Sequence, residues 1–233
     1  MSAPLDGPRL APKSGLAKQL VVFLHGFGAN GDDLIAIGKQ WQAWLPDAAF
    51  ASPNGPEPCP GAPRGRQWFP LAPTRDPGDR WTGVNAAQPA LDTFLDAELA
   101  KHGLDNARLA LVGFSQGTMM ALHVGLRRAR APAAILGFSG TLVGPEHLAG
   151  ATARSATGAP PPVLLVHGDQ DDDIPVDALF NSAEDLGRAN IPAQWHLSAG
   201  VAHGIDQGGL LHGGLFLAKS FGVRVERKTR AAA

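Results

Sequence analysis

Arg108-Leu-Ala-Leu-Val112, Gly113-Phe-Ser-Gln-Gly117 and Thr118-Met-Met-Ala-Leu-His-Val124 follow one another without a gap. The first is a short apolar run of the kind that fills a buried strand, and the last reads as a helix. A strand that becomes a helix within five residues leaves the central serine in strained backbone angles. Glycines two residues to either side answer a steric need, because neighbouring backbone must pass where a Cβ would stand. The turn lifts Ser115 Oγ clear of the sheet and sets the backbone N–H of Gln116 at a helix N-terminus. One segment therefore demands a strand, a helix and an exposed hydroxyl between them.

The remaining chain supplies elements to surround it. Gln19-Leu-Val-Val-Phe-Leu24 is a continuous apolar run suited to a strand buried on both faces. Asp32 or Asp33 is expected to cap a helix running to Leu45, which Pro46 ends. Residues 48–51 read as a second strand. Residues 52–80 carry eight prolines with no period, so a long irregular loop is expected there. Leu91, Phe94, Leu95, Leu99 and Leu104 recur at helical spacing, with Asp92, Asp96 and Glu98 turned outward, which predicts a helix over 84–102 ended by Gly103. Strands follow at 133–138, 163–166 and 194–197, and helices at 176–190 and 205–221. Residues 1–18 read as a lead-in and 228–233 as an irregular tail. This alternation predicts one α/β domain over 1–233, with a mostly parallel sheet and helices on both faces.

Composition excludes several classes. A chain of 233 residues suffices for one domain with a substantial core. The formal net charge of −1 gives no basic stripe for nucleic acid. The one cysteine, Cys59, allows no intramolecular disulfide and suits a reducing compartment. No apolar stretch approaches a membrane span and no signal-peptide pattern opens the chain. A soluble cytoplasmic protein without stable membrane insertion is expected.

In open parallel sheets, reactive groups gather at the carboxyl ends of strands. A serine nucleophile needs a base, and the base an orienting carboxylate. Residues 163–166 lead into His167-Gly-Asp-Gln-Asp-Asp-Asp-Ile-Pro175, and residues 194–197 into Ser198-Ala-Gly-Val-Ala-His203-Gly204. His203 is the candidate base. Chemistry alone does not choose among Asp169, Asp171, Asp172 and Asp173. The glycine-rich His25-Gly-Phe-Gly-Ala-Asn-Gly31 follows the first strand, and its Phe27 N–H is a second candidate oxyanion donor beside Gln116. His25 is expected to brace that loop and His167 to be a satisfied turn residue. Ser139, in Gly-Phe-Ser-Gly-Thr, lacks the right glycine spacing for a nucleophile. The other histidines lack ligand spacing, so no metal is expected.

His25-Gly-Phe-Gly, Gly-Phe-Ser-Gln-Gly, His-Gly-x-x-Asp-x-x-Ile-Pro and Ala-His-Gly together resemble the phospholipase/carboxylesterase family of small α/β-hydrolases, over about residues 19–222. The resemblance implies an α/β-hydrolase fold without a large lid domain, and no cofactor. It implies Ser115 as nucleophile, Asp171 as acid, His203 as base and the Phe27 and Gln116 amides as oxyanion hole. Trp68 and Phe69 resemble an aromatic pair near that family's acyl pocket. The implied activity is hydrolysis of short- to medium-chain esters, with a small-molecule ester as partner. Lysophospholipase or acyl-protein thioesterase activity is the second expectation, and the loop at 53–80 sides with the bacterial esterase branch. A non-catalytic binding protein would be expected to lack a triad member, and none is missing. An exposed apolar edge would suit a homodimer.

Overall fold

The computed structural model describes residues 4–71, 76–151 and 153–225. Its first half runs β1 (Arg9–Leu10), β2 (Gln19–Leu24), α1 (Gly31–Trp41), β3 (Ala48–Ala51), β4 (Glu57–Pro58), β5 (Arg66–Gln67) and α2 (Pro77–His102). The second half runs β6 (Leu109–Phe114), α3 (Gln116–Gly125), β7 (Ala134–Phe138), β8 (Val163–Gly168), α4 (Asp177–Arg188), β9 (Ala193–Ser198) and α5 (Gln207–Ser220). The main sheet has seven strands in the order β1-β3-β2-β6-β7-β8-β9. All neighbours pair parallel except β1, which is antiparallel to β3. The loops after β2, β6, β8 and β9 therefore emerge at one edge of the sheet.

The apolar runs explain the layering. Successive strand side chains face opposite ways, so Leu20, Val22 and Leu24 enter one core with residues of α2, α3 and α4. Val21 and Phe23 enter the other, against Leu34, Ile37 and Trp41 of α1 and Leu210, Phe216 and Leu217 of α5. A sheet buried on both faces needs continuous rather than alternating hydrophobicity, and β2 has all six residues buried. Among the described residues no helix is long and apolar enough to cross a membrane.

Several expectations are corrected. The lead-in is not wholly irregular, because Arg9–Leu10 pairs with Phe50 and Ala51. Asn30, not Asp32 or Asp33, caps α1, its side chain accepting the Asp32 N–H at 2.9 Å. That helix ends at Trp41, short of Leu45. α2 starts at Pro77 rather than 84, with Asp76 as its cap and proline in the first turn, where a missing N–H costs nothing. Glu98 does not face outward: it is 5% exposed and pairs with Arg9 Nη2 at 2.8 Å. The loop at 52–80 contains an ordered antiparallel ladder between β4 and β5. The irregular tail expected at 228–233 lies outside the described residues.

His123 joins α3 to α2. Gln88 donates its amide to Asp92 Oδ2 at 3.1 Å, which turns Gln88 Oε1 toward His123 Nε2 at 3.0 Å. That nitrogen must therefore carry the proton. Among the described residues the buried Nδ1 has no partner, so a second proton would have nothing there to meet. Burial first, and then the Arg127 charge, push the imidazole down to about 3. The unfolded chain takes up that proton near pH 6.5, so stability is full above this range and falls as pH drops toward 3. At pH 4.5 the loss amounts to roughly 2–3 kcal/mol. Urea unfolding of the wild type and His123→Gln at pH 7 and 4.5 should show a smaller loss in the variant by roughly 2 kcal/mol; equal losses would refute the assignment.

Candidate active site

Ser115 sits between β6 and α3 with φ 53° and ψ −116°, a positive φ that side chains other than glycine avoid. Neighbouring strands hold it there. Ser115 N–H bonds Phe138 O at 2.9 Å, and Ser115 O accepts the Thr118 N–H at 2.9 Å. A Cβ at Gly113 would overlap the Gly117 carbonyl, and one at Gly117 would overlap the Leu24 carbonyl oxygen. The glycines at this turn are thus explained by contact rather than by flexibility. Gln116 opens α3, so its N–H has no carbonyl one turn behind it in the helix.

The loop after β8 brings Asp171, and the loop after β9 brings His203. The two loops are laced by Asp169 N–H to Ser198 O, Gln170 N–H to Val201 O, and Gly200 N–H to Asp169 Oδ1 at 2.6 Å. His203 Nδ1 meets Asp171 Oδ2 at 2.8 Å. The Asp171 side chain is fully buried, and its Oδ1 accepts the N–H groups of Asp173 and Ile174. Among the four acids left open by the sequence, Asp171 is the one that reaches His203, whereas Asp169 caps the neighbouring turn. The His203 ring packs on Phe114 at 4.9 Å between centroids. Ser139, also at positive φ, donates its hydroxyl to Gly204 O at 3.1 Å and so anchors the residue after His203.

The loop after β2 lies alongside. A Cβ at Gly26 would stand 3.4 Å from Ser115 Cβ, which puts the Phe27 segment next to the serine. His25 accepts the Gly55 N–H on Nε2 at 2.8 Å, so its proton resides on Nδ1 and goes to Gly26 O at 2.7 Å. Burial lowers its pKa, which suits a neutral brace. Arg66 of β5 pairs with the same loop through Gly28 N–H to Arg66 O at 3.0 Å and Arg66 N–H to Ala29 O at 2.7 Å. The Arg66 side chain turns back onto Gly55 O and Pro56 O.

A cavity of about 520 Å³ joins these parts, lined by Ser115, Gln116 and His203, by the apolar Phe27, Leu71, Met119 and Ile174, and by charged residues including Asp76, Asp79 and Arg80. Its size falls within the ordinary range of small-molecule sites. Trp68 and Phe69 do not line it, contrary to expectation; both are 1% exposed and border an adjoining groove. Their backbone explains why. The Gln116 side chain accepts Trp68 N–H at 2.9 Å and donates to Phe69 O at 2.8 Å, while Trp68 Nε1–H bonds His25 O. The pair is drawn inward and the next two residues, Pro70 and Leu71, form the wall. Nothing in the pattern around Gln116 signals its side-chain role, since the motif constrains only its backbone amide.

Residues 5–220 match the phospholipase/carboxylesterase family. Esterase YpfH of Escherichia coli is 29% identical over 191 residues, covering 82% of this chain and 78% of that protein. Acyl-protein thioesterase 1 of Gibberella zeae is 24% identical over 87% of this chain and 91% of its own. The crystal structure of esterase PE8 superposes with a TM-score of 0.87 at 45% identity, covering 93% of this chain and 99% of the other.

Gln116→Met keeps much of the side-chain length but leaves Trp68 N–H and Phe69 C=O buried and unpaired. It should lower stability by about 2–4 kcal/mol in urea unfolding. An unchanged midpoint would mean that the amide does not hold the wall.

Proposed function

The chain belongs to the phospholipase/carboxylesterase family, and on that premise we propose that it is a serine carboxylesterase working through an acyl-enzyme. The observation that carries this reading is the Asp171 carboxylate on His203 Nδ1, with His203 and the strained Ser115 opening into one cavity. With the proton held on Nδ1, Nε2 is free to act as base. His203 takes the Ser115 proton as Oγ attacks the acyl carbonyl, and the Phe27 and Gln116 amides receive the oxyanion. The imidazolium formed is stabilised by Asp171 and gives its proton to the departing alcohol. Water then repeats the sequence on the acyl-enzyme, returning the serine and releasing the acid.

Short- to medium-chain esters are the proposed substrates. The apolar wall of Phe27, Leu71, Met119 and Ile174 suits an acyl chain, and charged residues also line the cavity. The similarity to esterase YpfH and esterase PE8 supports ester hydrolysis over a purely binding role.

Ser115→Ala should lower turnover of p-nitrophenyl butyrate by about 10⁶ and abolish labelling by a fluorophosphonate probe. A variant that keeps most of its activity would remove Ser115 from the role. Rates on p-nitrophenyl esters of increasing chain length should peak at short to medium acyl groups and exceed those on palmitoyl-CoA and lysophosphatidylcholine. Faster cleavage of lysophosphatidylcholine or palmitoyl-CoA would overturn the substrate assignment.

A further inference from the structure

Ser139, the residue after β7, is fully buried and has φ 46°. Glycine adopts such a φ freely and other residues avoid it, so a serine here calls for a reason in its side chain. The hydroxyl supplies one, donating from Oγ to Gly204 O at 3.1 Å. β7 and β9 are not neighbours in the sheet, because β8 lies between them. No ladder bond can therefore tie the end of β7 to the loop after β9. The Ser139 side chain makes that crossing. Among the described residues, it is the one hydrogen bond made by the main chain of 202–205, the stretch that carries the base.

From this geometry we infer that Ser139 is a positioning residue for the base His203, an assignment that rests on the serine-esterase reading above. Asp171 holds the His203 ring at Nδ1, but a ring fixed by one bond still swings if its main chain shifts. The tie at Gly204 limits that shift. The same turn also holds the other two partners. Phe138 O accepts the Ser115 N–H at 2.9 Å, and Ser139 N–H goes to Val166 O at 2.9 Å, on the strand that leads to Asp171. Gly140 lies so close that a Cβ there would stand 2.9 Å from Ser115 O. Nucleophile, acid strand and base loop are thus referred to one short turn. Main-chain bonds serve the first two, and a hydroxyl serves the third.

The test uses two variants that lose the same hydroxyl and differ in backbone preference. Ser139→Gly suits a φ of 46°, whereas Ser139→Ala keeps the strain. On p-nitrophenyl acetate both should lose about 10–100-fold, the scale of a small displacement of a reacting group. The loss should lie in kcat rather than KM, because Ser139 does not line the cavity. Ser139→Gly should melt above Ser139→Ala, so a purely structural role predicts that activity recovers in the glycine variant. Such recovery would overturn the assignment. The low-field proton resonance of His203 Nδ1, which reports its contact with Asp171, should move in both variants. Wild-type kcat or an unmoved resonance in folded Ser139→Gly would also overturn it. If the wild type neither cleaves esters nor takes up a fluorophosphonate, the esterase reading fails. The resonance in Ser139→Gly then still decides whether the hydroxyl sets His203 against Asp171.

Discussion

Gly117 meets the carbonyl groups of Leu24 and His25 with no side chain between them. This backbone-on-backbone contact seats α3 over the end of β2. The other distances at the site follow from it. The serine comes to lie beside Gly26, and the Gln116 side chain reaches the segment at 68–69. The strained residue at the turn costs on the order of 1–3 kcal/mol. Central strands on both sides offset that cost, with Leu24 in register with Gly113 and Phe114 with Phe138.

Much of this was legible because it is local. Strand, turn and helix are contiguous around Ser115, and each loop partner follows its own strand directly. Two expectations fail because distant residues decide, and others fail on local capping signals that apolar periodicity outweighs. Glu98 lies on what looks like a solvent face of α2, and nothing near it in sequence announces that Arg9 will cover it. Apolar periodicity in α2 begins late, so it points past the true start that Asp76 and Pro77 signal by their capping chemistry. As aromatics in an irregular loop, Trp68 and Phe69 suggest a substrate wall. Their orientation is set by hydrogen bonds to Gln116 and His25, more than forty residues away in each case, and no periodicity encodes that.

The histidines illustrate how partners, rather than residue type, assign roles. His123 faces an amide oxygen on one nitrogen and nothing on the other, and is kept neutral. His25 is held between an amide N–H and a carbonyl, and serves as a strut under the loop after β2. His203 and His167 alone touch a carboxylate that no water reaches. One opens into the cavity and the other is sealed beneath it.

The contact of Arg66 with Gly28 and Ala29 divides the proline-rich segment into two parts with different freedom. The stem must keep its register, since two main-chain bonds and the Arg66 side chain transmit its position to the loop after β2. At the tip, a Cβ on Gly61 would meet nothing within 4 Å, whereas Ala62 and Arg64 turn back onto the stem and onto Asn30, the cap of α1. Residues added at Gly61 would extend outward from the stem, while changes at Ala62 or Arg64 would pull on the bonds that tie the tip to the stem and to Asn30. Freedom in this segment is thus confined to the residue at its apex.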